Sequence, residues 1–381
     1  MKAISLFANI GVAEAYLDEI GVEVVLANEL LERRAQLYKK IYPNTEMIVG
    51  DITNSVIFDQ LIEKSLSYGI EAVMATPPCQ GMSTAGQLNK DDNRNELILP
   101  VIDFIHKVQP KYVFLENVPN FLTTSINFNG ESKLIIEIIR ENFDKEYFIE
   151  ENIINTMDYG VAQSRERAII LMSRKKKGIK KWTLPNKDNQ LCTLEDAIGH
   201  LPIVDPFIKD ISYEELLEMF PDYERNKELA REFSKWHIPP VHVKRQVEAM
   251  MYTPTGASAF NNEVYYPKKQ NGDRVKGYKN TYKRQRWDRP AYTVTMDNRK
   301  ISSQENVHPG RFLKTDSNGD AIYSNPRALT LYEIMIIMSL PLDWNLPDNA
   351  SEAFVRSIIG EGIPPLFVKK TFEKIMREIN E

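Results

Sequence analysis

Cys79 stands in a constrained turn, Thr76-Pro77-Pro78-Cys79-Gln80-Gly81, and Glu116 ends a hydrophobic run at Phe114-Leu115-Glu116-Asn117-Val118. A nucleophilic thiol and a carboxylate, each at the carboxyl end of a parallel strand, would face the crevice where an open α/β sheet does its chemistry. The prolines restrict the backbone leading to Cys79. A helix beginning at or beyond Cys79 would lower its thiol pKa and leave a thiolate. A solitary cysteine is more often an inert packing residue, and Cys192, beside Leu191 and Leu194, reads that way. Around Cys79, however, stand Pro-Pro and Gln-Gly, which packing does not need. A thiolate that adds to an electrophilic ring carbon needs an acid beside the ring nitrogen that gains electron density, and Glu116 can supply it. Gln163-Ser164-Arg165-Glu166-Arg167 precedes another apolar run. In an extended segment Arg165 and Arg167 share a face, so one can hold a ring carbonyl while the other fixes a neighbour or phosphate. The plainer alternative is a surface charge pair.

These residues need a scaffold, and the first 175 residues alternate in the manner of one. Strands are predicted at Lys2–Phe7, Val22–Ala27, Met47–Val49, Ala72–Ala75, Tyr112–Leu115, Phe148–Ile154 and Ala168–Met172. Helical patterns lie between them at Val12–Ile20, Leu31–Tyr42, Ser55–Ser67, Leu97–Val108 and Ser132–Asn142. Such alternation predicts a doubly wound, mostly parallel sheet. After Lys181 the rhythm is lost to Pro, Asn, Gly and aromatic residues, which predicts a smaller, loop-rich domain. A helix pattern resumes at Leu329–Leu340. Phe354–Ile359 reads as loop, and Pro365–Ile379 as an amphipathic helix that must return to cover the first domain. The expected division is 1–184, 185–328 and 329–381.

A chain of 381 residues suits more than one core. Apolar and charged contents of 43% and 27% are those of a soluble protein, and no apolar run reaches membrane-spanning length. The opening residues do not read as a signal peptide. Two cysteines make no disulfide framework and point to a reducing cytoplasm. Neither they nor the five histidines fall at metal-ligand spacing, so no metal is expected. Net charge is −5, yet residues 174–187 hold seven Lys or Arg and no acid, and residues 265–300 hold eleven against three Asp. Two basic segments can offer phosphate a positive face on an acidic protein, or can simply be solvated loops.

At the other end of the crevice, the first strand runs into Phe7-Ala8-Asn9-Ile10-Gly11, a tight turn whose free N–H groups suit an anion. It lacks the glycines that let a pyrophosphate approach. Glu29 closes the second strand, where an acid can accept from both ribose hydroxyls. Asp51 follows the third strand and can accept from an exocyclic amine, with Ile52 offering an apolar surface to a flat ring. Together they fit a nucleoside without phosphates. The alternative is that Glu29 and Asp51 only cap the next helices.

With these residues in place, the chain resembles the DNA cytosine-5 methyltransferases of bacterial restriction–modification systems. Thr76 to Ser83 matches the Pro-Cys-Gln nucleophile loop, Glu116-Asn117-Val118 the Glu-Asn-Val motif, and Gln163 to Arg167 the Gln-x-Arg-x-Arg motif. Arg289-Pro290-x-x-Thr293, Arg327-x-Leu329-Thr330 and Gly360-x-x-x-Pro364-Pro365 look like later motifs. The likeness runs from residue 1 to about 370 and is weakest between about 185 and 285. It implies a Rossmann-like fold and S-adenosyl-L-methionine bound around Phe7, Ala8, Asn9, Ile10, Gly11, Glu29, Asp51, Ile52, Pro78 and Glu361. It further implies that Cys79 attacks C6 of a cytosine flipped from duplex DNA. Glu116 would contact N3 and the amine, Arg165 would hold O2, and Arg167 would stabilise the site. A loop from about Gln80 to Asn95 would close over DNA, its glycines permitting movement.

The implied DNA contacts are Gln80, Ser83, Arg94 and Gln163, with Lys268, Lys269, Arg274, Arg284 and Arg286 from a target-recognition domain divided between phosphates and bases. A cognate endonuclease and a monomeric state accompany the resemblance. The chain departs from the family at Asn9 and Val12, where glycines are usual, and at Glu361, which replaces an asparagine. Asn9 tolerates left-handed backbone. Glu361 could repel the cofactor carboxylate or meet its ammonium group. Two rivals stand beside this reading: the same carbon chemistry on structured RNA, and a DNA-binding scaffold that no longer reacts.

Overall fold

Alternating side chains sort the β-rich runs onto two faces of one sheet. The computed structural model describes residues 1–78 and 93–381. In chain order the first part comprises β1 (Lys2–Leu6), β2 (Glu23–Glu29), α1 (Glu32–Ile41), β3 (Glu46–Val49), α2 (Ser55–Tyr68), β4 (Ala72–Ala75), α3 (Ile98–Val108) and β5 (Tyr112–Asn117). A hairpin of β6 (Ser125–Phe128) and β7 (Glu131–Leu134) leads to α4 (Ile135–Phe143), β8 (Tyr147–Asn155) and β9 (Glu166–Arg174). The sheet order is β3-β2-β1-β4-β5-β9-β8. Strands β1 to β5 pair in parallel, while β9 runs antiparallel to both β5 and β8. The chain moves outward from β1 and then returns to β4, so the strand order reverses between these two, where open α/β sheets form a crevice.

On one face Ile4, Leu6, Val73, Ala75, Val113 and Leu115 pack with residues of α2, α3 and α4. Their alternating neighbours Ala3, Ala72, Met74, Tyr112 and Phe114 pack on the other with Phe367, Phe372 and Ile375 of α11 (Pro365–Asn380). The final helix therefore covers the sheet, with Trp182 between them donating to Thr371 O at 2.9 Å.

Between β9 and α11 stand α5 (Leu194–Ile198), β10 (Phe207–Ile208), α6 (Tyr213–Met219), α7 (Tyr223–Phe233), β11 (Val241–His242), α8 (Lys244–Met251), β12 (Phe312–Thr315), β13 (Ala321–Tyr323), α9 (Leu331–Ile337) and α10 (Glu352–Ile359). None of these strands joins the main sheet. Ile208, Leu216, Met250, Tyr282 and Val307 form a core of their own. Another cluster joins Ile10, Val12, Leu37 and Ile41 to Val294, Leu329, Ile334 and Ile358.

Three sequence expectations are corrected. Val12–Ile20 is not an α-helix. Its bonds run to the third preceding residue (Glu14 to Gly11, Leu17 to Glu14, Ile20 to Leu17), and only Asp18–Ile20 forms a 3-10 turn. Glu14 is turned inward there onto Tyr38. Ser132 belongs to β7, and the helix begins only at Ile135. Phe354–Ile359 is helical within α10, with Val355, Ile358 and Ile359 buried. Among the described residues no helix is long and apolar enough to cross a membrane.

Candidate active site

The carboxyl ends of β4 and β5 meet at a set of short polar contacts. Thr76 follows β4 and donates through Oγ1 to Phe7 O at 3.3 Å. Asn117 ends β5 and donates through Nδ2 to Pro77 O at 3.0 Å, while its Oδ1 accepts from Val118 N at 2.9 Å. The chain is thus held two residues before Cys79. Cys79 itself, with Gln80 and Ser83, lies outside the described residues. Beside Asn117, Glu116 is 8% exposed, and its Oε1 lies 2.7 Å from Arg167 Nε. β9 supplies this partner because its antiparallel register sets Ala168 against Asn117 and Ile169 against Glu116. Arg167 also donates to Glu166 O at 2.7 Å. A nearly enclosed carboxylate oriented by a guanidinium is suited to bind a ring N–H and an amine edge.

Arg165 and Gln163 are placed otherwise than the sequence implied. Arg165 is 2% exposed. It donates to Val294 O at 2.9 Å, Gly360 O at 2.8 Å and Glu361 O at 3.2 Å, so here it binds backbone where a base carbonyl was expected. Gln163, expected at DNA, is fully buried. It accepts from Val294 N at 2.9 Å and donates to Met338 Sδ at 2.8 Å. Both side chains are drawn inward by unpaired backbone groups of loops that cross the strand end.

The first turn combines three left-handed residues, Phe7 (φ 58°), Asn9 (φ 53°) and Gly11 (φ 79°). Asn9 accepts this conformation more readily than most residues. At Gly11 a Cβ would stand 2.1 Å from the Tyr42 ring, so no other residue fits. Ala8 and Ile10 turn their side chains inward and offer backbone only. Glu29 accepts from Asn9 N and Leu31 N, both at 2.9 Å, which leaves lone pairs on both oxygens for a diol. Glu361 lies across the turn. It receives a hydrogen bond from Asn9 Nδ2 at 3.3 Å and faces Arg34 in a two-point ion pair at 2.9 Å. Asp51 is exposed, with Oδ1 accepting from Thr53 N and Oγ1. Ile52, expected to face a ring, is instead 3% exposed and packs in the core with Ile48 and Leu61.

Comparison with known proteins decides what this arrangement belongs to. Residues 1–377 match the family model described as C-5 cytosine-specific DNA methylase. The chain is 42% identical over 99% of both lengths to type II methyltransferase M1.HgaI of Avibacterium volantium. It is 24% identical to M1.HphI of Haemophilus parahaemolyticus, over 98% of this chain and 86% of that one. The chain belongs to the C-5 cytosine-specific DNA methylases. Among solved structures it shares its fold with the Entamoeba histolytica methyltransferase EhMeth, at TM-score 0.61 and 14% identity over 100% of this chain and 99% of the other. A prophage-encoded E. coli protein aligns at TM-score 0.65 and 18% identity, over the whole of both chains.

The methylase therefore acts on DNA cytosine at C5, and S-adenosylmethionine goes with its family and fold. The strand-end groups are chemically compatible with that cofactor: Glu29 keeps lone pairs open to a diol, and Arg34 with Glu361 forms a two-signed polar pair across the first turn. Of the expected DNA contacts, Lys268, Lys269, Arg274 and Arg286 are exposed, and so is Arg94. Lys268 and Arg274 bridge across a tight turn, and Arg274 stacks over Tyr266 at 4.6 Å. Arg286 pairs with Asp288 at 2.7 Å. Arg284 is a correction. It is fully buried, and its guanidinium serves His308 O, Asn325 O and Met250 O at 2.8, 3.1 and 2.8 Å. Burial pushes its pKa down to about 9. The basic run 174–187 is a second correction. It begins where β9 ends, beside Tyr112 at the start of β5, so it lies at the sheet end opposite Glu116. The sequence reading missed Arg34, because its partner stands 327 residues away. It also missed Glu14, whose buried carboxyl is raised to about 7 by burial against the opposing hydrogen bonds of Ser5 and Tyr38.

Proposed function

We propose that the methylase modifies one cytosine of a defined duplex sequence through a transient Cys79–C6 bond, as a DNA (cytosine-5-)-methyltransferase. The observation that carries the reading is the Glu116–Arg167 pair beside Asn117, which grips the peptide two residues before Cys79. Asn117 fixes the approach of the nucleophile. Glu116 binds N3 and the exocyclic amine of the flipped base, favouring protonation at N3 as thiolate adds at C6. Arg167 keeps that carboxylate oriented. S-adenosylmethionine, held near Glu29 and Glu361, supplies the methyl group to the nucleophilic C5. Loss of the C5 proton and departure of the Cys79 thiolate restore the aromatic ring. The scheme calls for no metal.

Residues 185–328 act as the target-recognition domain, with Lys268, Lys269 and Arg274 against phosphate. Arg165 and Gln163 act by holding the 294 and 360 segments in place. A monomeric cytoplasmic enzyme with a partner endonuclease acting separately fits this reading and its type II relatives. The test is incubation with duplex DNA containing 5-fluorocytosine in the target sequence, mapped first by methylation-sensitive sequencing of host DNA. Fluorine cannot leave as a proton does, so a methylated covalent adduct should accumulate by mass spectrometry. An identical thiol adduct from Cys79→Ser would refute the nucleophile. Methyl label on N4 or N6, or only in RNA, would refute the reaction.

A further inference from the structure

Glu361 breaks the family's C-terminal motif, and its surroundings contain the compensation. The Arg34 guanidinium meets it fork to fork, Nη2 to Oε1 and Nη1 to Oε2, each at 2.9 Å. Asn9 Nδ2 approaches Oε2 at 3.3 Å, and the Asn9 N–H binds Glu29. A polar chain Arg34–Glu361–Asn9–Glu29 thus crosses the carboxyl ends of β1 and β2. Both members of the ion pair keep 21% side-chain exposure. The structural pair Arg327–Glu333 is by contrast sealed, at 0% and 1%. Two polar atoms beside the pair, Arg34 Nε and Asn9 Oδ1, have no hydrogen-bond partner among the described residues. One is a donor and the other an acceptor.

A lone carboxylate here would attract the cofactor's ammonium and repel its carboxylate, with little net gain. Adding a guanidinium locked to that carboxylate changes the result, because the site then carries both signs side by side. We propose that Arg34 and Glu361 together form a zwitterion-matching subsite, Glu361 for the α-ammonium and Arg34 for the α-carboxylate of the cofactor's amino-acid end. Arg34 is then a specificity-determining residue, and it is what makes Glu361 compatible with cofactor binding. A guanidinium holds a carboxylate in planar two-point geometry and keeps its charge at any working pH. The inference rests on the cofactor placement given above, with Glu29 at the ribose.

Calorimetric titration of the full chain with S-adenosylhomocysteine and with methylthioadenosine, which lacks both charged groups, separates this subsite from a simple latch. Arg34→Ala should weaken S-adenosylhomocysteine at least tenfold and leave methylthioadenosine within about twofold. Arg34→Lys, which keeps the charge, should recover part of the loss. Arg34→Ala/Glu361→Gln should bind S-adenosylhomocysteine more tightly than Arg34→Ala alone, because the uncompensated acid is gone. Unchanged S-adenosylhomocysteine affinity in Arg34→Ala would overturn the subsite, as would an equal loss for both ligands. If the unaltered protein bound neither ligand, the cofactor placement itself would fall.

Discussion

Glu14 should make the methylase less stable as pH rises from about 4.5 toward 7, and Glu14→Gln should remove that dependence. The side chain is 4% exposed beneath the first turn. The Tyr38 hydroxyl donates to it, and the neighbouring Tyr42 hydroxyl donates to Gly11 O and accepts from Trp344 Nε1. Burial raises the carboxyl from 4.5 to about 7, with hydrogen bonds from Ser5 and Tyr38 pulling the other way. Below pH 4.5 the group is protonated in both folded and unfolded chains and carries no penalty. Between 4.5 and 7 the unfolded chain releases the proton while the folded one keeps it, so stability falls as pH rises. Above 7 the loss is complete. At 1.36 kcal/mol per pH unit the raised value corresponds to about 3 kcal/mol. With roughly 2.1 cal/mol/K of unfolding entropy per residue, this amounts to about 4 °C in Tm for a chain of this length. Scanning calorimetry of both proteins from pH 4.5 to 8.5 gives the readout. The Tm of Glu14→Gln minus that of the unaltered chain should climb across the window and level off above pH 7. Two curves that stay parallel would refute the reasoning.

Glu116→Gln should keep DNA affinity near normal and slow methyl transfer by about 10² or more, since the proposed scheme has this carboxylate bind more strongly in the transition state; single-turnover rates on labelled duplex would measure it. Lys268→Ala with Lys269→Ala should weaken cognate and unrelated duplexes alike. The slope of log K against log salt should shrink by roughly 0.9 for each phosphate no longer neutralised, whereas weakening confined to the cognate site would place these lysines at base edges. Arg284→Ala should behave as a stability mutant. Three carbonyls lose one donor each and an enclosed side chain leaves a cavity, at a cost of about 3–5 kcal/mol, so denaturant midpoints should drop sharply. A normal midpoint with weakened DNA binding would restore Arg284 to the DNA surface.

The sheet was legible because short β-rich apolar runs alternate with helical patterns that stop near Pro43, Gly69 and Pro110. The Thr76–Pro78 segment and Glu116 could be assigned to neighbouring strand ends for the same reason. The turn from Val12 to Ile20 was not legible, since its apolar spacing is helical while the structure turns Glu14 inward. Gln163, Arg165 and Arg284 were read from their polar chemistry as ligand contacts. Residue type does not disclose whether a guanidinium faces solvent or a loop carbonyl, and that depends on which loops cross above it. The basic run after Arg174 misled in another way. Its charge pattern was read correctly, but the antiparallel course of β9 carries it away from the crevice. Arg34 was invisible because nothing local joins it to Glu361.

The buried arginines explain how distant segments reach one site. Arg165, Arg284, Arg327 and Arg356 are among the largest fully enclosed side chains of the protein. Arg356 binds Asn298 through its carbonyl and side-chain oxygen, and also Leu329 O. Arg327 binds Val204 O at 2.8 Å as well as Glu333. Each therefore ties together carbonyls of segments outside the main sheet, a task that suits a five-donor planar group in an enclosed place. Arg165 has the most direct bearing on chemistry. It stands two residues before the arginine that holds Glu116, and it grips the backbone at Val294 and at Gly360–Glu361. The Glu116–Arg167 pair, the Val294 segment and the Gly360–Glu361 segment are therefore all tied to one short stretch of chain. Loss of Arg165 should for that reason impair cofactor affinity and methyl transfer together, read as S-adenosylhomocysteine titration and single-turnover rate on the same variant.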